Sequence, residues 1–387
     1  MKSQDIRDQF PSLKKVTYFD SAALVLKPQV AIDAMVDYYT NIATSSRSAD
    51  TPMGNLVNST INRVRDKVAD LLDASSSEII FTSGTTESIN LFAQMFKQLI
   101  KPKDIILLNA YNHSSNIIPW LEMAKEVDAE VIISEDITSE MQKLGSKIKL
   151  VAFAQETNTF NQHFDINQIS ALAKANNTII FNDAAQAISH EKVSMELSDI
   201  VVFSTNKFYG PTGMGVLAIK KPILTKLRPV KFGGGSVNEI LKDNTWSLKK
   251  TISAFEPGTP DIAGFFMFDK SLDFFESIGY NYTQSKLNTL SKYLHEKLNK
   301  LENVEVFSKS GDYIALINVK DINAQDVATY LGTKGIVTIA GIFCAPYLRN
   351  IQQNYSFLRI SLGIYNNFED IDKLIHELEN GGDFYAF

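Results

Sequence analysis

Cysteine is almost missing from this sequence of 387 residues, which contains Cys344 and no other. A single cysteine excludes a disulfide within the chain and favours a reducing compartment. Long apolar runs are missing as well, and no stretch approaches the roughly 20 residues that a membrane-spanning helix needs. The first residues, MKSQDIRDQFPSL, lack the apolar segment of a secretory signal. We therefore expect a cytoplasmic protein without a membrane partner.

The sequence also lacks an excess of basic residues. It has 38 Lys and Arg against 44 Asp and Glu, a formal net charge of −6. This balance gives no electrostatic reason to expect nucleic acid as a partner. The composition, with 44% hydrophobic and 21% charged residues, is typical of soluble globular proteins. A chain of this length usually exceeds one hydrophobic core, so we expect two domains.

Apolar strand-like runs alternate with helical patterns between residues 75 and 220. Short runs rich in β-branched residues predict buried strands. These runs are residues 78–82, 104–110, 130–134, 149–155, 178–183, 199–204 and 215–220. The alternation predicts an α/β fold with a mostly parallel, seven-stranded sheet between helices. In such sheets ligands bind beyond the carboxyl ends of the strands.

The pattern changes near residue 265. A long helical stretch over about 264–301 precedes shorter strands and helices, which predicts a smaller α+β domain. We place the large domain at residues 15–265 and the small C-terminal domain at 266–387. Residues 1–14 are expected to pack near the small domain.

Lys207 stands where one buried run ends and a loop begins. An isolated lysine there usually extends its ammonium group to solvent, whereas the alternative is a nucleophilic amine that forms a Schiff base. Asp183 closes another buried run, where it either caps the next helix or pairs with a cation or ligand. Pyridoxal phosphate needs both groups, an amine and a carboxylate against its ring nitrogen.

Two more strand ends carry candidate residues. The stretch SGTTES places Thr85 and Thr86 at the start of a predicted helix, where N–H groups and hydroxyls suit a phosphate. Threonine is also a common helix cap, and the stretch matches neither the Walker A nor the dinucleotide motif. His113 is either an ordinary structural histidine or a residue that stacks on a flat ring and moves protons.

Cys344 and Arg359 suggest a substrate. We expect Cys344 at a loop-to-helix junction, where a helix N-terminus favours the nucleophilic thiolate; a buried, inert cysteine is the alternative. The guanidinium of Arg359 suits the carboxylate of an amino acid. Asn158 and Gln186 offer amides at or just past two strand ends, suited to a phenolic oxygen.

Several motifs occur together and in a specific order. They are FTSGTTESINLFA, FNDAAQAISH, FSTNKFYGPTG, FEPGTPDIAG and CAPYLRN followed by FLRISLGIYN. Together they resemble the class V aminotransferase family of fold-type I pyridoxal-phosphate enzymes, and most closely its cysteine desulfurases and selenocysteine lyases. The resemblance begins at YFDSAALVLKP and covers nearly the whole chain. It implies a cysteine desulfurase that converts L-cysteine to L-alanine and transfers the sulfur to an enzyme cysteine as a persulfide.

The resemblance implies a role for each candidate residue. Lys207 would be linked covalently to pyridoxal phosphate, Asp183 would face its ring nitrogen and His113 its ring face. Gln186 would lie near the phenolic oxygen and Asn158 beside cofactor and substrate. The expected phosphate-binding residues are Thr85, Thr86, Ser204, Asn206 and, from the other subunit of a homodimer, Thr259. No metal is expected.

Cys344 and Arg359 fall on the family's nucleophile and its carboxylate-binding arginine. An acceptor protein or a small thiol would then take the sulfur. Three departures lie near the substrate or the phosphate. The usual histidine before the lysine is Asn206, the second histidine of the ring-stacking motif is Ser114, and Arg-x-Gly-His-His before the cysteine is Ile339–Phe343, reading IAGIF. An altered substrate choice is therefore plausible.

Two alternatives remain open on the sequence. One is a lyase, epimerase or aminotransferase of the same family that acts on another amino acid without a cysteine nucleophile. The other is an idle paralogue that only binds a sulfur-carrier or assembly partner; the set of Lys207, Asp183, His113 and Arg359 argues against it, because a binding surface needs no buried lysine.

Overall fold

The secondary structure was analysed in a computed structural model, which describes residues 3–162 and 164–380. The helices are α1 (Ser3–Arg7), α2 (Gln29–Asp37), α3 (Pro52–Leu72), α4 (Thr85–Phe96), α5 (Ile118–Val127), α6 (Ile137–Leu144), α7 (Ile166–Asn176), α8 (Lys221–Leu224), α9 (Ile262–Leu298), α10 (Ala324–Thr333) and α11 (Phe368–Asn380). The strands are β1 (Thr17–Tyr18), β2 (Ile79–Thr82), β3 (Ile105–Asn109), β4 (Glu130–Ser134), β5 (Ile148–Ala154), β6 (Ile179–Asp183), β7 (Ile200–Ser204), β8 (Gly215–Ile219), β9 (Val237–Ile240), β10 (Trp246–Leu248), β11 (Val304–Val306), β12 (Ile314–Val319), β13 (Ile336–Val337), β14 (Ile339–Gly341) and β15 (Phe357–Ser361). Among the described residues, no helix is both long enough and apolar enough to cross a bilayer.

The large sheet contains all seven strands that the sequence predicts. Its order is β2-β8-β7-β6-β5-β3-β4, and β8 runs antiparallel to both of its neighbours while the others are parallel. Strands β3, β7 and β8 are almost wholly buried, which explains why they read as continuous apolar runs. The prediction of a mostly parallel sheet is confirmed.

Helices cover both faces of this sheet, and β3 shows how its side chains are divided. Ile106 and Leu108 pack in a cluster with residues of α4 and α5, such as Phe92 and Trp120. Residues of the same strand that alternate with them, Ile105 and Leu107, pack with α6 and α7 on the opposite face. Two apolar faces leave the strand no exposed position.

A second, antiparallel sheet follows α9, in the order β11-β12-β15-β14. It packs against α10, α11 and the second half of α9 in a separate core. Gly279, with φ of 73°, interrupts α9 between the two cores.

The N-terminal segment contacts elements that follow α9 in the chain. Arg7 of α1 pairs with Asp370 of α11 at 2.7 Å, and β1 lies parallel to β13. The boundary at residue 265 lies inside α9 and stays a prediction.

A buried carboxylate, Asp269, joins α9 to α3. It is 2% exposed and accepts hydrogen bonds from Arg63 and Lys67 at 2.8–3.0 Å. Burial alone would raise the pKa of Asp269, but the two cations hold it below its ordinary value. Charged hydrogen bonds of this kind stabilise the ionised form and, with it, the docking of the two helices.

Asp269→Asn should lower the free energy of unfolding by about 1–3 kcal/mol at pH 7, because the bonds from Arg63 and Lys67 lose the negative charge of their acceptor and the amide NH₂ cannot accept at all. Since the native pKa is lowered, the contribution is present near pH 7 and is lost as the pH falls below about 4. Urea unfolding at pH 7 and at a pH below about 4 measures this contribution. Asp273→Asn is the matched control: this carboxylate also contacts Lys67 but is 41% exposed, so the change should stay below about 0.5 kcal/mol. Equal losses of unfolding free energy in the two variants would contradict the role of Asp269 in docking α9 against α3.

Candidate active site

A cavity opens where five parallel strands of the large sheet end. Strands β2, β3, β5, β6 and β7 all point their carboxyl ends at this edge. The cavity has a volume of about 180 Å³, far more than the roughly 30 Å³ that one water occupies in the liquid. Nine of the twelve predicted site residues line it: Thr85, Thr86, His113, Asn158, Asp183, Gln186, Ser204, Asn206 and Lys207.

Lys207 and Asp183 are two ionisable side chains of this cavity whose charges influence each other. Burial lowers the pKa of Lys207 to about 8; the charge of Arg359 acts in the same direction, and Asp183 opposes it. Asp183 is 4% exposed, and burial raises its pKa to about 6 despite a hydrogen bond from the backbone N–H of Ala185 and the charge of Lys207. The bond from Ala185 N–H to the Asp183 carboxylate closes a local turn, so Asp183 does not cap a helix. A neutral amine is therefore accessible near neutral pH.

The backbone around Lys207 is fixed from two sides. After β7, the Thr205 hydroxyl donates to the carbonyls of Pro211 and Met214 at 2.7 and 3.0 Å. The carbonyl of Asn206 accepts from Lys27 Nζ at 2.8 Å, and also from a backbone N–H at 3.2 Å. These bonds hold a single turn of 3₁₀ helix, so the strand end points Lys207 into the cavity.

A cradle of hydroxyls lies at the N-terminus of α4. Thr85 N–H donates to Ser204 Oγ at 2.7 Å, and the Thr85 and Ser204 hydroxyls are 2.8 Å apart. The Thr86 hydroxyl is 2.8 Å from that of Ser115. The helix follows Gly84, which provides no side-chain cap, so the helix start is available to an anion.

Two glycines give the cradle its shape. Gly84 has φ of 152°, and Gly215 of β8 lies so close that a Cβ on it would be 2.4 Å from the Cα of Gly84. Any side chain at position 215 must push the start of α4 away from the sheet. The close approach of two backbones is what requires glycine here.

His113 lies in the loop after β3 and lines the cavity. Its Nδ1 accepts a hydrogen bond from Ser115 N–H at 3.1 Å, so the neutral ring carries its proton on Nε2. Burial lowers the pKa of His113 to about 4, and the charges of Lys207 and Arg359 add to this effect. The ring is therefore uncharged near pH 7, as stacking on a cationic heterocycle requires.

Gln186 and Asn158 have different hydrogen-bond partners. Gln186 donates to Ala22 O at 2.9 Å and accepts from Tyr313 OH at 2.6 Å, which leaves one amide hydrogen for a ligand. Asn158 donates to Phe343 O at 2.7 Å. Its buried Oδ1 has no partner among the described residues. Asn158 therefore offers an unused hydrogen-bond acceptor at the cavity.

Cys344 and Arg359 lie next to Asn158 rather than in the cavity lining. Arg359 is 2% exposed and donates to Asn158 O at 3.1 Å and to Asp20 at 3.0 Å. Its buried Nε has no partner within the described residues. Cys344 is exposed, and its backbone carbonyl accepts from Ser114 N–H at 2.8 Å, next to the cavity residue His113. Both residues are thus close enough to serve the same site.

The helix expected after Cys344 is a 3₁₀ helix of five residues, Pro346–Asn350. So short a helix has little dipole, which removes the reason for expecting a thiolate from helix position alone. Thr259 does not line the cavity of Lys207 either. It is exposed and lines a second cavity of about 630 Å³. Its role in a partner's site stays a prediction.

The donor set fits pyridoxal phosphate. An amine of lowered pKa, a buried carboxylate and an uncharged imidazole line one cavity, and a helix start with hydroxyls stands at its edge. Ser115 and Asp20 were not among the predicted residues, although Asp20 lies within the stretch YFDSAALVLKP. Ser115 follows His113 by two residues, which is a usable signal. Asp20 is 339 residues from Arg359, and no local pattern links them.

Comparisons with known proteins agree on one family. Residues 17–374 match the family model described as Aminotransferase class-V. A probable cysteine desulfurase of Ureaplasma parvum serovar 3 is 34% identical over 381 residues, which cover 96% of this chain and 94% of that protein. A cysteine desulfurase of Thermococcus onnurineus NA1, in its apo structure, has a TM-score of 0.93 at 27% identity and covers 98% of both chains. The Escherichia coli cysteine desulfurase CsdA (S-sulfonic acid) has a TM-score of 0.90 at 27% identity and covers 97% of both.

Gly215→Ala should destabilise the protein by about 1–3 kcal/mol and weaken the binding of pyridoxal phosphate about tenfold or more, because the new methyl group displaces the cradle. Thermal unfolding and titration of the cofactor absorbance measure the two effects. Gly332→Ala is the control, since a Cβ there meets no atom within 4 Å. A Gly215→Ala variant with wild-type affinity would show that the cradle does not hold the cofactor.

Proposed function

The chain belongs to the class V aminotransferase family, and from this membership we propose that it is a pyridoxal-phosphate-dependent cysteine desulfurase that converts L-cysteine to L-alanine. The observation that carries the proposal is a shared contact. Asn158 lines the Lys207 cavity, and it hydrogen-bonds both to Arg359 and to the residue before Cys344. The cavity, the guanidinium of Arg359 and the turn that carries Cys344 therefore meet at Asn158, which supports the proposal.

Pyridoxal phosphate would be held by the residues that line the cavity. Lys207 would carry it, Asp183 would pair with its ring nitrogen, and the neutral ring of His113 would stack on it. Its phosphate would bind the start of α4 with the hydroxyls of Thr85, Thr86 and Ser204, and the uncharged amide of Asn206 would replace a histidine. When bound, the cofactor withdraws electrons from the bonds to the substrate Cα.

Arg359 would bind the substrate carboxylate. Its guanidinium is buried, and its Nε has no partner in the described part of the chain, so one donor stands ready for an oxygen. A bidentate contact through Nε and Nη2 would compete with Asp20, which accepts from Nη2. Burial raises the pKa of Asp20 although Arg359 opposes this, which eases the exchange of one carboxylate for another.

Lys207 would move the proton on the substrate Cα. The lowered pKa of about 8 makes the neutral amine accessible near pH 7 and keeps the amine basic enough to accept a proton. Asp183 lies on the adjacent strand β6 and offsets the positive charge that this transfer produces.

The Cys344 thiolate would attack the substrate sulfur. A bond forms between the two sulfur atoms while the Cβ–S bond of the substrate breaks; Cβ takes up a proton and alanine leaves. The products are alanine and a persulfide on Cys344, which is exposed and can pass the outer sulfur to an acceptor thiol. Thr259 would complete the partner's site in a homodimer, and a reducing cytoplasm would keep the thiol free.

Cys344→Ser should reduce the formation of alanine and sulfide from L-cysteine by about two orders of magnitude or more, because the nucleophile is lost. Quantifying both products measures the effect. The cofactor absorbance should be unchanged, since Cys344 does not line the cavity.

Two control variants separate this function from its rivals. Lys207→Ala should lose both the absorbance band and the activity, whereas Lys220→Ala, beside Asp199 on the surface, should keep both. Undiminished product formation by Cys344→Ser would indicate another enzyme of the family that does not use the thiol. A wild-type protein that never takes up pyridoxal phosphate would instead favour an idle paralogue.

A further inference from the structure

Phe343, the residue before Cys344, touches the carboxylate-binding arginine. The Arg359 guanidinium carbon lies over the Phe343 ring, 4.6 Å from its centroid. This distance is well within the range of a cation–π interaction, and the burial of Arg359 strengthens the interaction by excluding water. Phe343 stands where the family pattern has the second histidine of the Arg-x-Gly-His-His segment.

The backbone at this point is held in an unfavourable conformation. Phe343 has φ of 54° and Cys344 has φ of 55°, so two consecutive residues with a Cβ adopt the left-handed region. Residues other than glycine, asparagine and aspartate seldom do so, and pairs of them are rarer still. Such a conformation persists only where surrounding contacts fix it.

Besides the hydrogen bond from Ala345 N–H to the Ile342 carbonyl at 3.0 Å, which closes the turn, three contacts with other parts of the chain fix it here. Asn158 Nδ2 donates to the Phe343 carbonyl at 2.7 Å, and Ser114 N–H donates to the Cys344 carbonyl at 2.8 Å. The third is the stacking of the Phe343 ring on Arg359. Two of the three lead back to groups at the cavity, because Arg359 itself donates to the carbonyl of Asn158.

We propose that Phe343 is a positioning residue that links the carboxylate-binding Arg359 to the nucleophile Cys344. This inference rests on the proposed function of both residues. The ring covers one face of the guanidinium, so the substrate carboxylate approaches in its plane, at the edge that carries the unpartnered Nε. The same ring anchors the strained turn that presents Cys344, so substrate binding and nucleophile placement depend on one side chain.

A simpler role for Phe343 is to fill space. The ring also packs at the margin of the core formed around the small sheet. Leucine would fill much of that space but has no π system, whereas tyrosine keeps both. The comparison of Phe343→Leu with Phe343→Tyr therefore isolates the contact with the cation.

The test uses the holoenzyme and two readouts besides turnover. L-alanine, the sulfur-free product, is titrated against the cofactor absorbance to measure carboxylate binding. The rate of iodoacetamide alkylation measures the exposure and placement of the thiol, and the signal is unambiguous because Cys344 is the only cysteine. The kinetic constants KM and kcat for L-cysteine are measured alongside.

We expect Phe343→Leu to weaken L-alanine binding and raise KM about three- to tenfold, and to change the alkylation rate by a similar factor. Phe343→Tyr should stay within about twofold of the wild type in every readout. Wild-type values for Phe343→Leu would overturn the inference and leave a space-filling role. Altered L-alanine binding with an unchanged alkylation rate would also overturn it, since no link to Cys344 would exist.

Failure of the proposed function would look different. The wild-type protein would then bind pyridoxal phosphate but form no alanine from L-cysteine, while the L-alanine titration and the alkylation rates of the two variants would still test the link. If Phe343→Leu fails to fold, as its thermal unfolding would show, Phe343→Met provides a flexible apolar side chain without a π system for the same comparison.

Discussion

The loss of water around Lys207 and Asp183 is the constraint on which the site depends. Charges at the edge of a buried sheet are costly unless they are paired or neutralised, and here burial moves the pKa of the lysine down to about 8 and that of the carboxylate up to about 6. Each shift favours the neutral form. The adjacent parallel strands β6 and β7 bring the two groups to one edge of the sheet, and the hydrogen bonds behind Lys207 fix its backbone there.

Local patterns were sufficient to predict the large sheet and much of the cavity. Each buried strand is a short β-branched run, and parallel strands share one carboxyl edge, so Lys207, Asp183 and His113 could be brought together from their strand positions alone. Residue chemistry made Cys344 and Arg359 candidates with alternatives left open, and the family resemblance implied their specific roles. The ion pair of Arg359 with Asp20 could not be predicted, because it depends on how the small sheet docks and not on any spacing in the sequence.

The surroundings of Cys344 differ from the family pattern in a consistent direction. A cation and two imidazoles are replaced by Ile339, Ile342 and Phe343. Arg359, which pairs with Asp20, stacks on the ring of Phe343, the residue before Cys344. The loop is held by an aromatic contact and by hydrogen bonds to the carbonyls of Phe343 and Cys344, in place of the family's titratable side chains.

The bridge between β1 and the last strands also sets an order of events during synthesis. Thr17 and Tyr18 pair with Ile336 and Val337, and Asp20 bridges to Ser361. Residues 17–20 must therefore wait for partners that are synthesised far later in the chain. The large sheet, which closes at Ile219, can form long before that. The cavity of the large sheet can therefore take shape before Arg359, the proposed carboxylate-binding residue, has been synthesised, so a shortened chain would keep the proposed cofactor pocket and lack the group proposed to hold the substrate.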